Sequence, residues 1–147
     1  MAERFVDVIY AEDIRVEKTG QISLIGVFHG AITLHQFPHI FPKFHCWVRI
    51  RTTKDDPFHK IKLVVSDGSE IVNEVGLSEE IIASQMQTVR EAERSGVDEP
   101  TIELALQVAL SPLTCNSPGI IYVGIETERE TLLCSPLRMQ LATNSSR

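Results

Sequence analysis

Hydrophobic and polar residues alternate along most of this chain, the pattern of strands with one buried face. In residues 44–50 every second position is apolar: Phe44, Cys46, Val48 and Ile50. Residues 61–65 and 102–108 alternate in the same way. Because successive side chains of a strand point to opposite faces, each segment is predicted to place one set of side chains in a core.

Turn residues separate these segments. Asp67-Gly68 lies between two β-rich stretches and predicts a hairpin. Lys18-Thr19-Gly20 predicts a second hairpin, and a charged loop over 126–130 divides the last strands. Pro38 and Pro42 exclude a helix between them and favour an extended crossover from one sheet to another.

One stretch departs from the two-residue period. Between residues 78 and 94, apolar residues recur at helical spacing at Ile82, Met86 and Val89. Ser78 is a suitable N-cap, and Gly96 follows the last turn. We therefore expect one amphipathic helix over 78–94, packed on a sheet.

Seven or eight short strands with a single helix indicate an antiparallel two-sheet β-sandwich of the immunoglobulin-like kind. The second interpretation is a mixed α+β sheet with the helix on one face. The length of 147 residues fits one domain, predicted over 1–143, followed by a frayed tail over 144–147.

The charge and the cysteine content of the chain limit the classes of function that we expect for it. Fourteen basic against twenty acidic residues give a net charge of −6, which disfavours binding to duplex nucleic acid. The chain shows neither a signal peptide nor a run of about 18 apolar residues that would cross a membrane. Cys46, Cys115 and Cys134 are too few for a disulfide framework. We therefore predict a cytoplasmic protein with reduced thiols.

Several motifs resemble those of a family of small uncharacterised bacterial and phage proteins. The similar segments are residues 11–15 and 20–28, the Phe41-Pro42 pair before the predicted strand over 47–51, and the Pro118-Gly119 pair before Tyr122. The resemblance implies a β-sandwich and a bacterial or phage origin. It carries over no function and no site residues, since these motifs consist of hydrophobic and turn residues.

A basic cluster is the first candidate site. If residues 44–52 and 59–66 form a hairpin around the 53–57 turn, Arg49 lies opposite Lys62 and Arg51 opposite Lys60. Trp47 would then lie beside four cations and could stack on a nucleotide or another anionic ligand. A different hairpin register at Asp67-Gly68 would place Glu74 opposite Lys62 and neutralise part of this cluster.

The histidines form the second candidate site. All five lie between residues 29 and 59, near Cys46: His29, His35, His39, His45 and His59. Imidazole and thiolate are zinc ligands, but the spacing shows no ligand pair, and His45 and Cys46 would point to opposite faces of a strand. Solvent-exposed loop histidines are the alternative interpretation.

Common catalytic signatures are absent from the sequence, and no cofactor is predicted. We therefore expect a non-enzymatic binding module for a small anionic ligand or a protein partner. One alternative is a metal-dependent enzyme that uses the histidine-rich segment. The other is a structural subunit of a homo-oligomer.

Overall fold

The computed structural model describes residues 3–68 and 70–143. Twelve strands and one helix are found in this part of the chain. The first strands are β1 (Phe5–Val16), β2 (Ile22–Phe28), β3 (Ala31–Leu34), β4 (His39–Phe41), β5 (Phe44–Thr53), β6 (Ile61–Ser66) and β7 (Ile71–Gly76). They are followed by α1 (Glu79–Arg94), β8 (Thr101–Leu110), β9 (Leu113–Cys115), β10 (Gly119–Thr127), β11 (Thr131–Leu133) and β12 (Leu137–Leu141).

Most of these strands belong to two sheets. The first sheet has the order β2-β1-β5-β8 and is antiparallel throughout. The second has the order β3-β12-β10-β6-β7, with β11 also paired to β10. In the second sheet β3 runs parallel to β12, which differs from the antiparallel arrangement that we predicted. A small ribbon of β4 and β9 completes the described strands.

The predicted alternation is confirmed, and it fills one core from both sheets. Phe44, Cys46, Val48 and Ile50 on β5 are fully buried. From the second sheet, β6 and β10 contribute the buried residues Ile61, Leu63, Val65, Val123 and Ile125. Since side chains of both sheets belong to one contiguous cluster, the two sheets enclose a common apolar layer. Over the residues that the structure describes, the protein is therefore mostly β with one helix, as predicted.

The hairpin predicted from residues 44–52 and 59–66 is wrong. β5 pairs with β1 and β8 in the first sheet, whereas β6 pairs with β10 and β7 in the second. The segment between them crosses from one sheet to the other instead of turning back. Phe58 explains this crossing, because its side chain is 1% exposed and anchors the connection in the core.

The other predicted connections are confirmed. β1 and β2 form a hairpin, and so do β6 and β7, where Gly68 has the positive φ of 93° that the Asp-Gly turn requires. The proline-containing segment leads from β3 in the second sheet to β5 in the first. The predicted tail over 144–147 lies outside the described residues.

The predicted helix is also confirmed. The hydroxyl of Ser78 accepts a hydrogen bond from the amide of Ile81 at 3.4 Å and caps α1. Val89 is buried, as its spacing predicted, and Gln85 is buried beside it. α1 connects β7, at one edge of the second sheet, to β8, at one edge of the first. No helix in the described part of the chain has the length and hydropathy to cross a membrane.

Candidate binding surface

The five residues of the predicted basic cluster are divided between the two sheets. Trp47, Arg49 and Arg51 lie on β5, on the face of the first sheet that points away from the core. Lys62 lies on β6 in the second sheet, and Lys60 immediately precedes that strand. The predicted pairing of Arg49 with Lys62 and of Arg51 with Lys60 is therefore wrong, because β5 and β6 are not neighbours.

The neighbours of the two arginines are acidic. Arg49 lies opposite Asp7 on β1, and Arg51 lies opposite Glu103 on β8. The Nη2 atom of Arg49 is 2.8 Å from an Asp7 carboxylate oxygen, and Nη2 of Arg51 is 3.4 Å from Glu103. Glu103 also lies 3.9 Å from Arg49, so it joins both arginines into one group.

This group has no net charge, because two guanidinium groups face two carboxylates. The hydrogen bond and charge of Asp7 raise the pKa of Arg49, and Glu103 adds to the effect. The arginines are about half-exposed, so water screens these pairs and each stabilises the fold only slightly. Their main effect is to hold the guanidinium groups in place on an open surface.

Aromatic side chains lie next to these ion pairs. Phe5 is opposite Arg51 and is 62% exposed. Trp47 is half-buried between Ile9 on β1 and Gln107 on β8. A shallow groove of about 230 Å³ runs between Phe5 and the charged residues. We call this surface the charged face, and it consists of Phe5, Asp7, Trp47, Arg49, Arg51 and Glu103.

Lys62 is neutralised on the second sheet. Its ammonium nitrogen is 2.8 Å from Glu74 and 3.8 Å from Glu126, and the hydrogen bond with Glu74 raises the pKa of Lys62. The predicted contact with Glu74 exists, but it is diagonal, since Lys62 lies opposite Gly76 and Glu74 lies opposite Val64. Lys62 and the arginines of β5 therefore form two separate ion-pair groups.

The histidines do not assemble into a metal site. His45 and Cys46 point to opposite faces, as predicted: Cys46 is fully buried, and Nδ1 of the half-exposed His45 is 3.1 Å from the carbonyl oxygen of Glu12. His39 packs edge-on against Phe41, with 4.5 Å between the ring centroids. Over residues 3–68 and 70–143, no group of three or more histidine, cysteine or acidic side chains could hold a metal ion.

The three thiols are buried. Desolvation by burial raises the pKa of Cys46 and of Cys134 to about 12, with smaller contributions from Cys134 at Cys46 and from Asp7 at Cys134. Burial also raises the pKa of Cys115, which is 7% exposed on β9. A nucleophilic cysteine needs the opposite shift, so none of the three has the environment of a reactive thiol.

A buried arginine is the feature that the sequence did not indicate. The side chain of Arg4 is 1% exposed and lies near the carboxylates of Asp56, Glu128 and Glu130 at 3.3, 2.6 and 3.9 Å. Its guanidinium carbon is 4.4 Å from the centre of the Phe58 ring. This cluster joins the start of the chain to the β5–β6 crossing and the loop after β10. Its position in the interior gives it a structural role.

These observations define a mostly β protein of two main sheets with an open, charged face on the first. A family model matches residues 7–140, so the chain belongs to a family of unknown function, DUF6941. This match confirms the resemblance to an uncharacterised family that the sequence motifs indicated. No curated protein and no solved structure matches the chain.

Proposed function

We propose that the protein is a non-enzymatic binding module that recognises a protein partner through the charged face. The observation that supports this most directly is the composition of the face: exposed arginines held by carboxylates, next to Phe5 and Trp47, on a sheet surface open to solvent. Arginine and aromatic residues are the side chains that most often dominate the binding energy of protein interfaces.

The charge pattern favours a protein over a small anion. An anion bound to Arg49 and Arg51 would meet the carboxylates of Asp7 and Glu103, which already occupy the guanidinium groups. A protein surface can instead present both signs of charge and match the alternation along the face. The groove is also shallow, whereas sites for small ligands are enclosed and bury most of the ligand.

The partner should therefore carry interleaved acidic and basic side chains around an apolar centre that covers Phe5. Arg49 and Arg51 would each form a further hydrogen bond with a partner carboxylate, because a guanidinium group has five donors and its present pairs do not use all of them. Trp47 would supply flat apolar contact at one end of the interface.

The experiment compares capture by two variants with the same change of charge. Arg49→Glu alters the charged face, and Arg138→Glu alters an exposed arginine on β12 of the second sheet. The partner protein is captured from the cell extract with the native chain and then purified, and its affinity is measured directly. We expect it to bind Arg49→Glu at least tenfold more weakly than it binds the native chain. Arg138→Glu should bind it like the native protein. Melting temperatures would establish that both variants are folded.

Two results would overturn the proposal. One is equal affinity of the native chain and Arg49→Glu for the purified partner. The other is thermal stabilisation of the native chain by phosphate or a nucleotide that Arg49→Glu abolishes, which would assign the face to an anionic ligand.

Three further expectations belong to the same proposal. We infer an immunoglobulin-like arrangement of the two sheets, supported by their common core. A cytoplasmic location is supported by the three unpaired buried cysteines. A bacterial or phage origin is supported by the motifs before β5 and β10.

A further inference from the structure

A pocket of about 260 Å³ lies at one end of the second sheet, and it shares no residue with the charged face. The β6–β7 turn, the start of β10 and the loop after β9 form its walls. Four residues that line it are buried in the core and form its floor: Leu113, Cys115, Ile121 and Met139. An apolar cavity of about 150 Å³ can hold benzene, so this pocket has room for a molecule of about ten non-hydrogen atoms.

The floor of the pocket favours an aromatic ring. The Sγ atom of Cys115 lies 3.0 Å from the Sδ atom of Met139, so two polarisable sulfur atoms lie side by side there. Sulfur atoms make favourable contacts with aromatic rings, often at the ring edge. The groove on the charged face is different, because its lining residues are all exposed or half-buried. This pocket therefore offers a ligand the apolar contact that the groove lacks.

The rim of the pocket is acidic. Asp67 and Glu70 of the β6–β7 turn line it, and the amide of Glu70 donates a hydrogen bond to Oδ1 of Asp67 at 2.8 Å. Burial raises the pKa of Cys115 and the charge of Asp67 raises it further, which is consistent with a carboxylate close to the floor. Among the described residues that line the pocket there is no lysine, arginine or histidine, so its charge favours a cation. We call this site the acidic pocket, and it consists of Asp67, Glu70, Leu113, Cys115, Ile121 and Met139.

We propose that the acidic pocket binds a small arylalkyl ammonium compound. The ring would lie on the sulfur atoms of the floor, and the ammonium group would face Asp67 and Glu70. A primary ammonium group has three donors, and the exposed side chains of Asn116 and Ser117 on the facing wall supply further acceptors. This inference goes beyond the proposed function and does not depend on it, because the two sites have no residue in common.

The first test uses Met139 as a reporter of the floor. The chain has three methionines, and in protein labelled with carbon-13 at their methyl groups Met86 on α1 provides the internal control. We expect phenethylammonium to shift the Met139 signal saturably, with a dissociation constant of about 1 mM or lower, and to leave Met86 unchanged. Met86→Leu would assign the signals. A Met139 signal that does not move up to about 10 mM ligand would reject the site.

The second test compares ligands of similar size and different charge. Phenethyl alcohol is neutral and phenylacetate is an anion, so each should bind at least tenfold more weakly than phenethylammonium if carboxylates form the rim. Equal affinity for the alcohol would show that the carboxylates do not take part, and it would refute the proposal. Displacement of phenethylammonium by Ca²⁺ at equal concentration would assign the carboxylates to a metal ion instead.

The third test removes one charge from the rim. Asp67→Asn keeps a side-chain oxygen that can accept the hydrogen bond from Glu70, and it should weaken binding of phenethylammonium at least fivefold. Asp98→Asn is the matched control, because it makes the same change at an exposed carboxylate outside the pocket and should alter the affinity by less than about twofold. Melting temperatures would establish that both variants are folded. Equal effects of the two substitutions would contradict a contact between the ammonium group and Asp67.

Discussion

Arg4 is a buried charge whose partners come from distant parts of the chain. One of its terminal nitrogens donates to the carbonyl oxygen of Pro57 at 3.0 Å and to Glu128 at 2.6 Å, and Nε lies 3.3 Å from Asp56. Arg129 contributes a second positive charge, 2.8 Å from Asp56. The cluster thus contains two cations and three carboxylates, so removing the central cation leaves the carboxylates poorly compensated.

We expect Arg4→Met to lower the free energy of unfolding by about 2–3 kcal/mol, measured by urea denaturation. The cost falls below that of a fully buried pair because the three carboxylates are 21–31% exposed and keep contact with water. Arg15→Met is the control, since the pair between Arg15 and Asp13 is exposed and its loss should cost less than about 1 kcal/mol. Equal losses in the two variants would contradict the buried role of Arg4.

The cluster around Arg4 also predicts that the stability of the fold depends on pH. Burial of the Glu128 carboxyl acts to raise its pKa, but the hydrogen bond from Arg4 and backbone donors outweigh it and lower the pKa from 4.5 to about 2. The ionised form therefore stabilises the fold fully above pH 4.5, and this stabilisation is lost as the pH falls towards 2. Unfolding curves measured between pH 5 and 2.5 should show that the free energy of unfolding falls more steeply for the native chain than for Arg4→Met. Parallel falls in the two proteins would contradict the role of the Arg4–Glu128 contact.

No local pattern in the sequence could have indicated this cluster. Arg4 lies between Glu3 and Phe5, and its partners follow more than fifty positions later. Charged residues are normally solvated, so burial of an arginine becomes visible only when the partners are brought together in three dimensions.

At the scale of the elements, Gln85 holds α1 to the β5–β6 crossing. Its side-chain oxygen accepts a hydrogen bond from the amide of Phe58 at 3.0 Å, and its nitrogen donates to the carbonyl of Phe58 at 2.8 Å. The helix thus replaces the strand partner that the backbone of Phe58 lacks, and both polar groups are satisfied in a buried position.

Gln85→Leu should destabilise the protein by about 2–3 kcal/mol, because it leaves a buried amide and carbonyl of Phe58 without a partner. Gln87→Leu, one half-turn further along the helix, removes only an exposed hydrogen bond to Glu91 and should change stability by less than about 0.5 kcal/mol. Thermal unfolding of the two variants would compare them, and similar melting temperatures would show that Gln85 does not anchor the helix.

The elements also show how far the sequence could be interpreted. Alternation predicted correctly that Val48 and Leu63 are buried, because it depends only on the two faces of a strand. It could not predict that these residues belong to different sheets, because many strands share the same alternation and the partner depends on the connection. The charged face was therefore predicted in part: its arginines and Trp47 share a surface, but their partners are Asp7 and Glu103 instead of Lys62.

At the scale of the whole molecule, the three cysteines report on global unfolding. Cys46 and Cys134 are buried, and because burial raises their pKa to about 12 their thiols stay protonated at neutral pH. We expect the native protein to react with a thiol reagent at pH 7.5 only at the rate of unfolding, and all three thiols to react at once in urea. Glu74→Cys provides an exposed thiol as the positive control. Rapid reaction of a native cysteine would show a local opening.

The second sheet joins early and late parts of the chain, since Ala31 on β3 lies opposite Arg138 on β12 and Val65 on β6 lies opposite Val123 on β10. During synthesis, β3 and β6 must therefore wait for residues 119–141 before their apolar side chains are covered. Pairing between strands that lie far apart in the sequence is slow, and strands that are still unpaired can associate with strands of other chains. Because of this order of assembly, we expect the protein to depend on chaperones and to aggregate when it is expressed at a high rate.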